Sequence, residues 1–408
     1  MDRPLEGIRV LSMEQAVALP FATRHLADLG AEVIRVESHA RARPPTLTET
    51  DLVRNKLRWG LDLGVEGAAD LFRRVAANVD IVAHNFTPRV MRKFGIDFEP
   101  IRAINPDVIY LSLTGFGTTG PWGERPLFGP GAEAVSGHNV MIGEPDAWPG
   151  RPGTIVYADN NTGLNALVAI LAALDHRDAT GEAVHIDLSL YEAGIAHIGA
   201  AVTERAFGGG LPERMGNGDP RYLVHDVFDA QGTDRHVAIA AREDDSAALA
   251  RALELTEVTR DAVAAAVAGR TAEDVAETLQ HAGVAAYIVS DPSDQSLDPH
   301  LWARGFFGLL GDEEAHPHHG PAFGGGIDLE LSPARAVGQD SRYVMSSIGG
   351  LTDEEIAAAE EVGSTGAAPN RGPAVRPPTT PEQYAIRLER GELSRVDEVH
   401  DRWREVSS

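Results

Sequence analysis

Short apolar runs alternate along the first half of the chain with stretches in which apolar residues recur every three to four positions. The runs predict buried strands at residues 7–13, 32–37, 80–84, 108–113 and 183–188. The stretches have helical spacing at residues 20–29, 67–77 and 88–94. Because strands and helices alternate, the pattern predicts an α/β fold with a parallel, doubly wound sheet.

The region 114–152 breaks this rhythm, because it is rich in glycine and proline and therefore predicts mostly loop. A long helix is expected to start near Asn160. It carries one apolar stripe for burial, made of Leu164, Leu167, Val168, Leu171 and Leu174.

The sequence changes character after about Gly208. Residues 221–310 combine short strands with alanine-rich helices, which predicts a second, smaller α+β domain. Residues 364–381 have the Pro/Gly/Thr-rich composition of a linker, and residues 382–405 predict a charged terminal helix.

Composition excludes several classes of protein. The chain has 408 residues, with 61 acidic and 36 basic side chains and a net charge of -25, so it repels nucleic acid and anionic lipid. It has no cysteine, which excludes disulfides, thiolate metal sites and a cysteine nucleophile. No apolar run reaches the ~18 residues of a membrane span, and the N-terminus lacks a signal-peptide pattern. We expect a cytoplasmic protein with no nucleic-acid or membrane partner.

Two motifs suggest chemistry that their context does not support. Residues 115–120 fit G-x-G-x-x-G after a strand, but residues 121–123 are Pro-Trp-Gly where a dinucleotide site needs a helix. We interpret them as a flexible loop beside a site. His316, His318 and His319 are interrupted by Pro317 and have no carboxylate at ligand spacing, so we expect a solvated loop and no metal site.

Asp159 lies between a predicted strand and the long helix, and two interpretations stay open from the residues alone. It can cap the helix, since aspartate accepts N–H bonds there. It can also be a carboxylate nucleophile, which the positive end of the helix would keep ionised. A basic cluster, Arg89, Arg92 and Lys93, opens another predicted helix; it is either a solvated face or a phosphate site.

Taken together, five stretches resemble the class III CoA-transferase family, which includes formyl-CoA and carnitine-CoA transferases. They are collinear with the family over about residues 4–350. The stretches are 4–37; Asn55-Lys56 with 61–63; 84–95 with 105–106 and 112–117; 159–163 with 170–174 and 180–181; and 214–217 with 298–305.

The resemblance implies a fold that spacing does not give. It implies a Rossmann-like, CoA-binding large domain formed by residues 1–205 and 326–363, with a small α+β domain inserted at 206–325. Residues 364–408 would be a linker and terminal helix. It also implies an interlocked homodimer, in which each chain is a ring threaded through the other.

The resemblance also implies an acyl-CoA:carboxylate CoA-transferase that uses Asp159 as a nucleophile, through an aspartyl anhydride and an aspartyl-CoA thioester. CoA or acyl-CoA would be a substrate, with no tightly bound cofactor. By position, the CoA site would be formed by Val17 and Ala18 through their backbone, by Asn85 and Phe86, and by Lys93 near the phosphates.

The chain departs from the family pattern at three places. His39 aligns with a basic family residue, so Arg41 or Arg43 is expected to replace it. Gly64 aligns with a frequent lysine, and the glycine-rich lid of the formyl-CoA enzyme has only 216–218 as a counterpart.

Two alternative functions follow. One is the α-methylacyl-CoA racemase branch, which needs a histidine near Gly129; His138 lies too far along. The other is a non-catalytic CoA-binding homologue, which the departures at His39 and Gly64 leave open.

Overall fold

The computed structural model describes residues 3–42, 51–150, 156–210, 213–310, 316–319, 331–368, 380–391, 393–396 and 402–406. The chain divides into two compact units. The first comprises Met1–Met141, Arg151–Pro212 and Gly305–Val375; the second comprises Ile142–Gly150, Glu213–Arg304 and Arg376–Ser408. The second unit therefore contains residues 142–150 and the C-terminal region in addition to its main segment. That main segment ends at Arg304, whereas the predicted small domain ends at residue 325.

The first unit is built on a six-stranded parallel sheet with strand order β3-β2-β1-β4-β5-β6. The strands are β1 (Arg9–Met13), β2 (Glu32–Glu37), β3 (Leu57–Gly60), β4 (Ile81–His84), β5 (Ile109–Thr114) and β6 (Val184–Ser189). This order is that of the doubly wound nucleotide-binding folds. The parallel sheet confirms the predicted α/β class. Apolar runs that are buried on both faces are typical of parallel strands.

Helices of the first unit pack on both faces of this sheet. They are α1 (Ala18–Asp28), α2 (Ala68–Ala76), α3 (Pro88–Phe94), α4 (Phe98–Ile104), α5 (Gly129–Val135), α6 (His138–Met141), α7 (Tyr157–Thr180), α8 (Leu190–His197) and α9 (Gly199–Ala206). One apolar core joins the sheet to α1, α5, α7 and α8. A second core, on the other face, joins it to α2, α3, α4 and residues 344–356.

Later segments of the first unit complete its structure. An antiparallel pair is formed by β10 (Phe307–Leu310) and β11 (His316–His319). The expectation of a loop at these histidines is therefore wrong, because backbone pairing with β10 makes them a strand. A helical region follows, with α15 (Ser341–Tyr343), a π-helical turn at Val344–Ile348 and α16 (Asp353–Glu361).

The second unit contains a three-stranded antiparallel sheet, of order β7-β8-β9, formed by Val224–Asp229, His236–Ala241 and Ala285–Ile288. Its helices are α10 (Ser246–Ala252), α11 (Arg260–Val267), α12 (Ala272–His281), α13 (Pro292–Leu297), α14 (Pro299–Ala303) and α17 (Pro381–Glu389). An apolar core lies between the sheet and α10, α11 and α12. Of the predicted terminal helix, α17 and a short turn at Arg402–Glu405 are helical.

The described residues of the region 114–152 are mostly loop, as predicted, but they also contain the short helices α5 and α6. Burial of Ala132 and Glu133 stabilises α5, which its glycines alone disfavour. Helix α7 begins at Tyr157, three residues earlier than expected.

The apolar stripe of α7 is only partly buried. Leu167 and Leu174 are buried, whereas Leu164, Val168 and Leu171 are exposed. The buried face of α7 combines Leu167 and Leu174 with Ile170 and several small residues. Helix α7 therefore presents apolar side chains on two faces. Among the described helices, none combines the length and hydropathy needed to cross a bilayer.

Candidate functional site

A pocket lies at the carboxyl edge of the parallel sheet, where the strand order reverses. β1 pairs with β2 on one side and with β4 on the other, so the chain leaves these neighbouring strands toward opposite faces. Such a switch point leaves a crevice between the two departing loops, which is the usual ligand site of open α/β sheets.

The residues that line this pocket include Gln15, Ala16 and Ala18 after β1, Asn85 and Phe86 after β4, and Asp159 on α7; residues 113–115 and 126–128 line it as well. The structure therefore brings together four of the residues singled out from the sequence, namely Ala18, Asn85, Phe86 and Asp159. Val17 is the residue immediately before α1. Among the described lining residues, Asp159 is the one that carries a formal charge.

The turn between β1 and α1 is held from β4. The side chain of Asn85 donates from Nδ2 to the carbonyl oxygen of Gln15 at 2.7 Å, and its Oδ1 accepts from the Gln15 N–H at 2.9 Å. The next residue, Ala16, has a φ of 55°, which is a strained conformation for a residue with a Cβ. Asn85 thus fixes the backbone of the two residues that lead into the Val17–Ala18 segment.

Helix α7 reaches the pocket because it packs directly on α1. A Cβ at Gly163 would lie 2.7 Å from the carbonyl oxygen of Ala18 and 3.0 Å from the ring of Phe21, so only glycine permits this approach. One helical turn earlier, Asp159 faces the same edge of the sheet.

Asp159 lies in the first turn of α7 and is not its cap. The helix begins at Tyr157, and Val156 occupies the cap position with no side-chain cap bond. The N–H of Tyr157 donates instead to Oε1 of buried Glu133 at 2.8 Å. Glu133 therefore takes the capping role that the sequence left open for Asp159, and the Asp159 carboxylate lines the pocket.

Asp159 is 7% exposed, and this burial, together with the nearby charge of Glu133, raises the pKa of its carboxyl from 3.8 to about 6. The helix N-terminus, which favours the ionised form, does not outweigh these effects. At pH 7 and above the carboxylate is still mostly ionised. Its raised pKa makes it a stronger base, and hence a better nucleophile, than an exposed aspartate.

The backbone of Gly129 lies directly against this carboxylate. A Cβ at this position would come within 2.3 Å of Asp159 Oδ2 and 2.0 Å of Val156 Cγ1. A histidine therefore does not fit at the position where the racemase branch needs one. His138 is buried elsewhere, with its Nδ1 2.9 Å from Ser136 Oγ.

The remaining predicted residues lie outside the pocket lining. Arg41 is exposed in a short turn at His39–Arg41. A Cβ built at Gly64 would be 4.0 Å from Nη2 of Arg41, so Gly64 lies beside the side chain expected to replace the basic family residue at His39. Lys93 is exposed on α3, with its Nζ 5.0 Å from the ring centroid of Phe94.

The other two members of the basic cluster are engaged by one acidic residue. Glu124 pairs with Arg92 and also accepts from the backbone N–H of Arg89 at 3.1 Å. Its bond to Arg92, together with these contacts, lowers the pKa of Glu124. A negatively charged side chain therefore already lies at the beginning of α3.

The G-x-G-x-x-G loop is also used within the protein. The backbone N–H and the hydroxyl of Thr118 both donate to the Asp187 carboxylate, with the N–H at 3.0 and 3.1 Å from its two oxygens. No helix begins in residues 115–123, all of which the structure describes. The loop lacks the helix that dinucleotide binding requires.

Replacing Asp159 with asparagine should stabilise the protein by up to about 3 kcal/mol at pH 8, because folding raises the pKa of this carboxyl by about two units and each unit corresponds to about 1.4 kcal/mol. A carboxyl whose pKa is raised by folding destabilises the fold when ionised. That cost is absent below pH 4, grows between pH 4 and 6, and is complete above pH 6. Urea unfolding of both proteins at pH 8 and pH 4 tests this; an equal gain at both values would contradict it.

The fold and this site define the class of protein: the chain belongs to CoA-transferase family III, which residues 5–339 match. It is an enzyme of that family, and CoA-transferases use CoA thioesters as substrates.

Particular relatives can be named. The chain is 29% identical over 392 residues to the succinyl-CoA–D-citramalate CoA-transferase of Chloroflexus aurantiacus, covering 87% of this chain and 96% of that protein. It is 32% identical over 334 residues to the succinyl-CoA:mesaconate CoA-transferase of Haloarcula marismortui, covering 74% and 84%. A CAIB/BAIF family crystal structure from Brucella suis has a TM-score of 0.77 and 28% identity, covering 85% and 100%.

Sequence reasoning missed two residues of this site, Glu133 and Gln15. Glu133 lies 26 positions before Asp159, in a region predicted to be mostly loop, and no spacing signal connects the two. Gln15 acts through its backbone, which its side-chain type does not reveal. Gly129 was singled out from the sequence as the place of the racemase histidine, but its contact with Asp159 was not predicted.

Proposed function

We propose that this protein transfers CoA from an acyl-CoA to a free carboxylic acid, with Asp159 as the nucleophile. The observation that carries the proposal is the ionisable, buried carboxylate of Asp159 in the switch-point pocket, beside the turn at residues 15–18. Membership of the CoA-transferase family and relatives that act on succinyl-CoA support the reaction type.

In the first half-reaction, a carboxylate oxygen of Asp159 attacks the thioester carbonyl of the acyl-CoA, and CoA leaves as its thiolate. The product is a mixed anhydride between the acyl group and Asp159. The thiolate then attacks Cγ of Asp159, releasing the acyl group as a free carboxylate and leaving an aspartyl-CoA thioester. One bond forms for each that breaks, and the anhydride and the thioester are both activated acyl groups, so the transfer needs no external energy source.

The second half-reaction runs the same steps backward with another acid. The acceptor carboxylate attacks Cγ of Asp159 and displaces the CoA thiolate, which gives a new anhydride. The thiolate then attacks the acceptor's carbonyl carbon, forming the new acyl-CoA and restoring the Asp159 carboxylate. Burial of Asp159 excludes water, which would otherwise hydrolyse these activated intermediates.

We propose that CoA contacts the backbone at Val17 and Ala18 and the side chains of Asn85 and Phe86. Three of these residues line the Asp159 pocket, and Val17 adjoins it. Arg41 and Lys93 are proposed to contact the CoA phosphates from outside the pocket, where both are exposed cations in a chain of net negative charge.

We further propose that the protein is a homodimer, interlocked as the family resemblance implies. Leu164, Val168 and Leu171 on the outer face of α7 are apolar and exposed in the single chain. A contiguous apolar strip of this kind is typical of a protein–protein interface.

The proposal is tested by trapping the enzyme during turnover. Hydroxylamine added with a succinyl-CoA or acetyl-CoA donor should convert residue 159 to a hydroxamate, and borohydride should reduce the thioester there, both seen by peptide mass spectrometry. Modification elsewhere, or none at residue 159 during active turnover, overturns the proposal. In deuterated water, deuterium appearing at the substrate α-carbon without an acceptor acid would establish racemisation instead.

A further inference from the structure

A buried ion pair lies beneath the turn that leads from β1 into α1. The Nζ of Lys56 is 2.7 Å from Oε1 of Glu14, and both side chains are fully buried. Lys56 also donates to the carbonyl oxygen of Pro20 at 3.0 Å and to Oγ1 of Thr23 at 2.7 Å. The three ammonium protons therefore each have an acceptor.

The Glu14 carboxylate is equally well satisfied. Its Oε2 accepts from Ser12 Oγ at 2.8 Å and from Thr23 Oγ1 at 2.5 Å, and its Oε1 lies 3.6 Å from Nη1 of Arg35. These cations hold the pKa of Glu14 below its usual value despite burial. A buried ion pair is a poor source of stability compared with apolar residues of the same size, so its presence suggests a positional role.

The position of the pair indicates that role. Glu14 directly precedes the turn, and Pro20 lies in the first turn of α1. Lys56 thus bonds to both sides of residues 15–19. Within that segment, Gln15, Ala16 and Ala18 line the pocket, and Ala16 is held at its positive φ.

We propose that Lys56 and Glu14 are positioning residues that hold the turn at residues 15–18 in the conformation that binds acyl-CoA. The inference rests on the proposed function, since it assumes that CoA contacts this turn. Asp159 lies outside this turn, on α7 and against Gly129, so the ion pair does not bond to it directly. Loss of the pair therefore weakens substrate binding far more than the chemical steps.

The chain offers a matched control. Arg54 and Asp28 form another fully buried ion pair, 2.6 Å apart, at the C-terminal end of the same helix α1. At 1.5 Å per residue, Asp28 lies about 15 Å along α1 from Ala18. A change there tests whether loss of any buried pair gives the same effect.

The experiment compares Lys56→Met/Glu14→Gln with Arg54→Met/Asp28→Asn. Both double variants remove the two charges together, which avoids leaving a buried charge unpaired. We expect the first to raise the KM for acyl-CoA and the Kd of CoA by about tenfold or more, with kcat within about threefold, because a turn displaced by 1 Å loses its aligned contacts. The control should change both constants by less than about twofold.

A second variant and a second measurement guard against poor folding. Thr23→Val removes only the hydroxyl shared by Lys56 and Glu14, and should raise KM in the same direction by about threefold, the size of one lost hydrogen bond. Hydrogen–deuterium exchange of residues 14–22 should be about tenfold faster in the Lys56/Glu14 variant and unchanged in the control, because local opening becomes easier.

Unchanged KM and exchange in the Lys56/Glu14 variant would overturn the inference, as would an equal loss of binding in both double variants. If the wild-type protein neither binds CoA nor transfers it, the proposed function fails. The exchange of residues 14–22 then still decides whether the ion pair holds the turn.

Discussion

Replacing Asp159 with alanine should lower kcat by about 10³- to 10⁴-fold or more, while the Kd of CoA stays within about tenfold of the wild-type value. The reason is that the side chain forms the covalent intermediates, so its loss removes a step and leaves the binding contacts of the turn in place. Steady-state transfer between succinyl-CoA and a carboxylic acid measures the rate, and calorimetry with CoA measures the binding.

Asp175→Ala is the matched control for this variant. Asp175 lies on the same helix α7 but is exposed, so its removal should leave kcat within about twofold, as is usual for surface substitutions. Turnover that persists in Asp159→Ala would refute the nucleophile and would leave a CoA-binding scaffold as the function of this pocket.

Activity should depend on pH with an acid limb near pH 6, set by the pKa of Asp159. Only the ionised carboxylate attacks the thioester, so kcat/KM for acyl-CoA should fall about tenfold for each pH unit below 6 and be flat from about pH 7 to 8. The acid limb belongs to the free enzyme, which is the state that kcat/KM reports.

Glu133→Gln provides the test of this assignment. Glu133 raises the pKa of Asp159 through its negative charge, so neutralising it should move the acid limb to lower pH. Asp187→Asn, which neutralises a carboxylate of β6 that does not line the pocket, should leave the limb in place. A limb that stays at the same pH in Glu133→Gln would mean that another group controls it.

Five of the six strands of the parallel sheet could be predicted from the sequence, most clearly β4 and β5, which are buried on both faces and largely apolar; β3 was not predicted. The run at 80–84, for instance, becomes β4, every residue of which is buried. The predicted starts of helices were less accurate. Val156, at the cap position, has no cap-forming side chain, and the group that accepts the N–H of Tyr157 is Glu133, more than twenty residues away in the sequence.

The composition of the segment 114–152 correctly predicts mostly loop, but it does not reveal the short helices α5 and α6. Glycine and proline disfavour isolated helices, yet Pro130 stands in the first turn of α5, where it is tolerated, and packing of Ala132 and Glu133 supplies the stabilisation. The exposed half of the α7 stripe shows a related limit. Periodicity identifies an apolar face but does not say which surface covers it.

The residues of the candidate site could likewise be predicted only in part. Asp159, Asn85 and Phe86 follow strand and helix boundaries that the pattern locates, so their meeting at one edge follows from the parallel topology. The electrostatic neighbour Glu133 and the ion pair of Lys56 with Glu14 depend on side-chain contacts between distant segments. The roles of Arg41 and Lys93 stay predictions.

The contact between Gly129 and the Asp159 carboxylate limits how this active site can evolve. Any larger side chain there must first displace the carboxylate or the residue before α7. A second acid–base group opposite Asp159 therefore requires coordinated changes in two segments of the chain. A variant with the change at Gly129 alone would have its Asp159 carboxylate displaced from the reactive position.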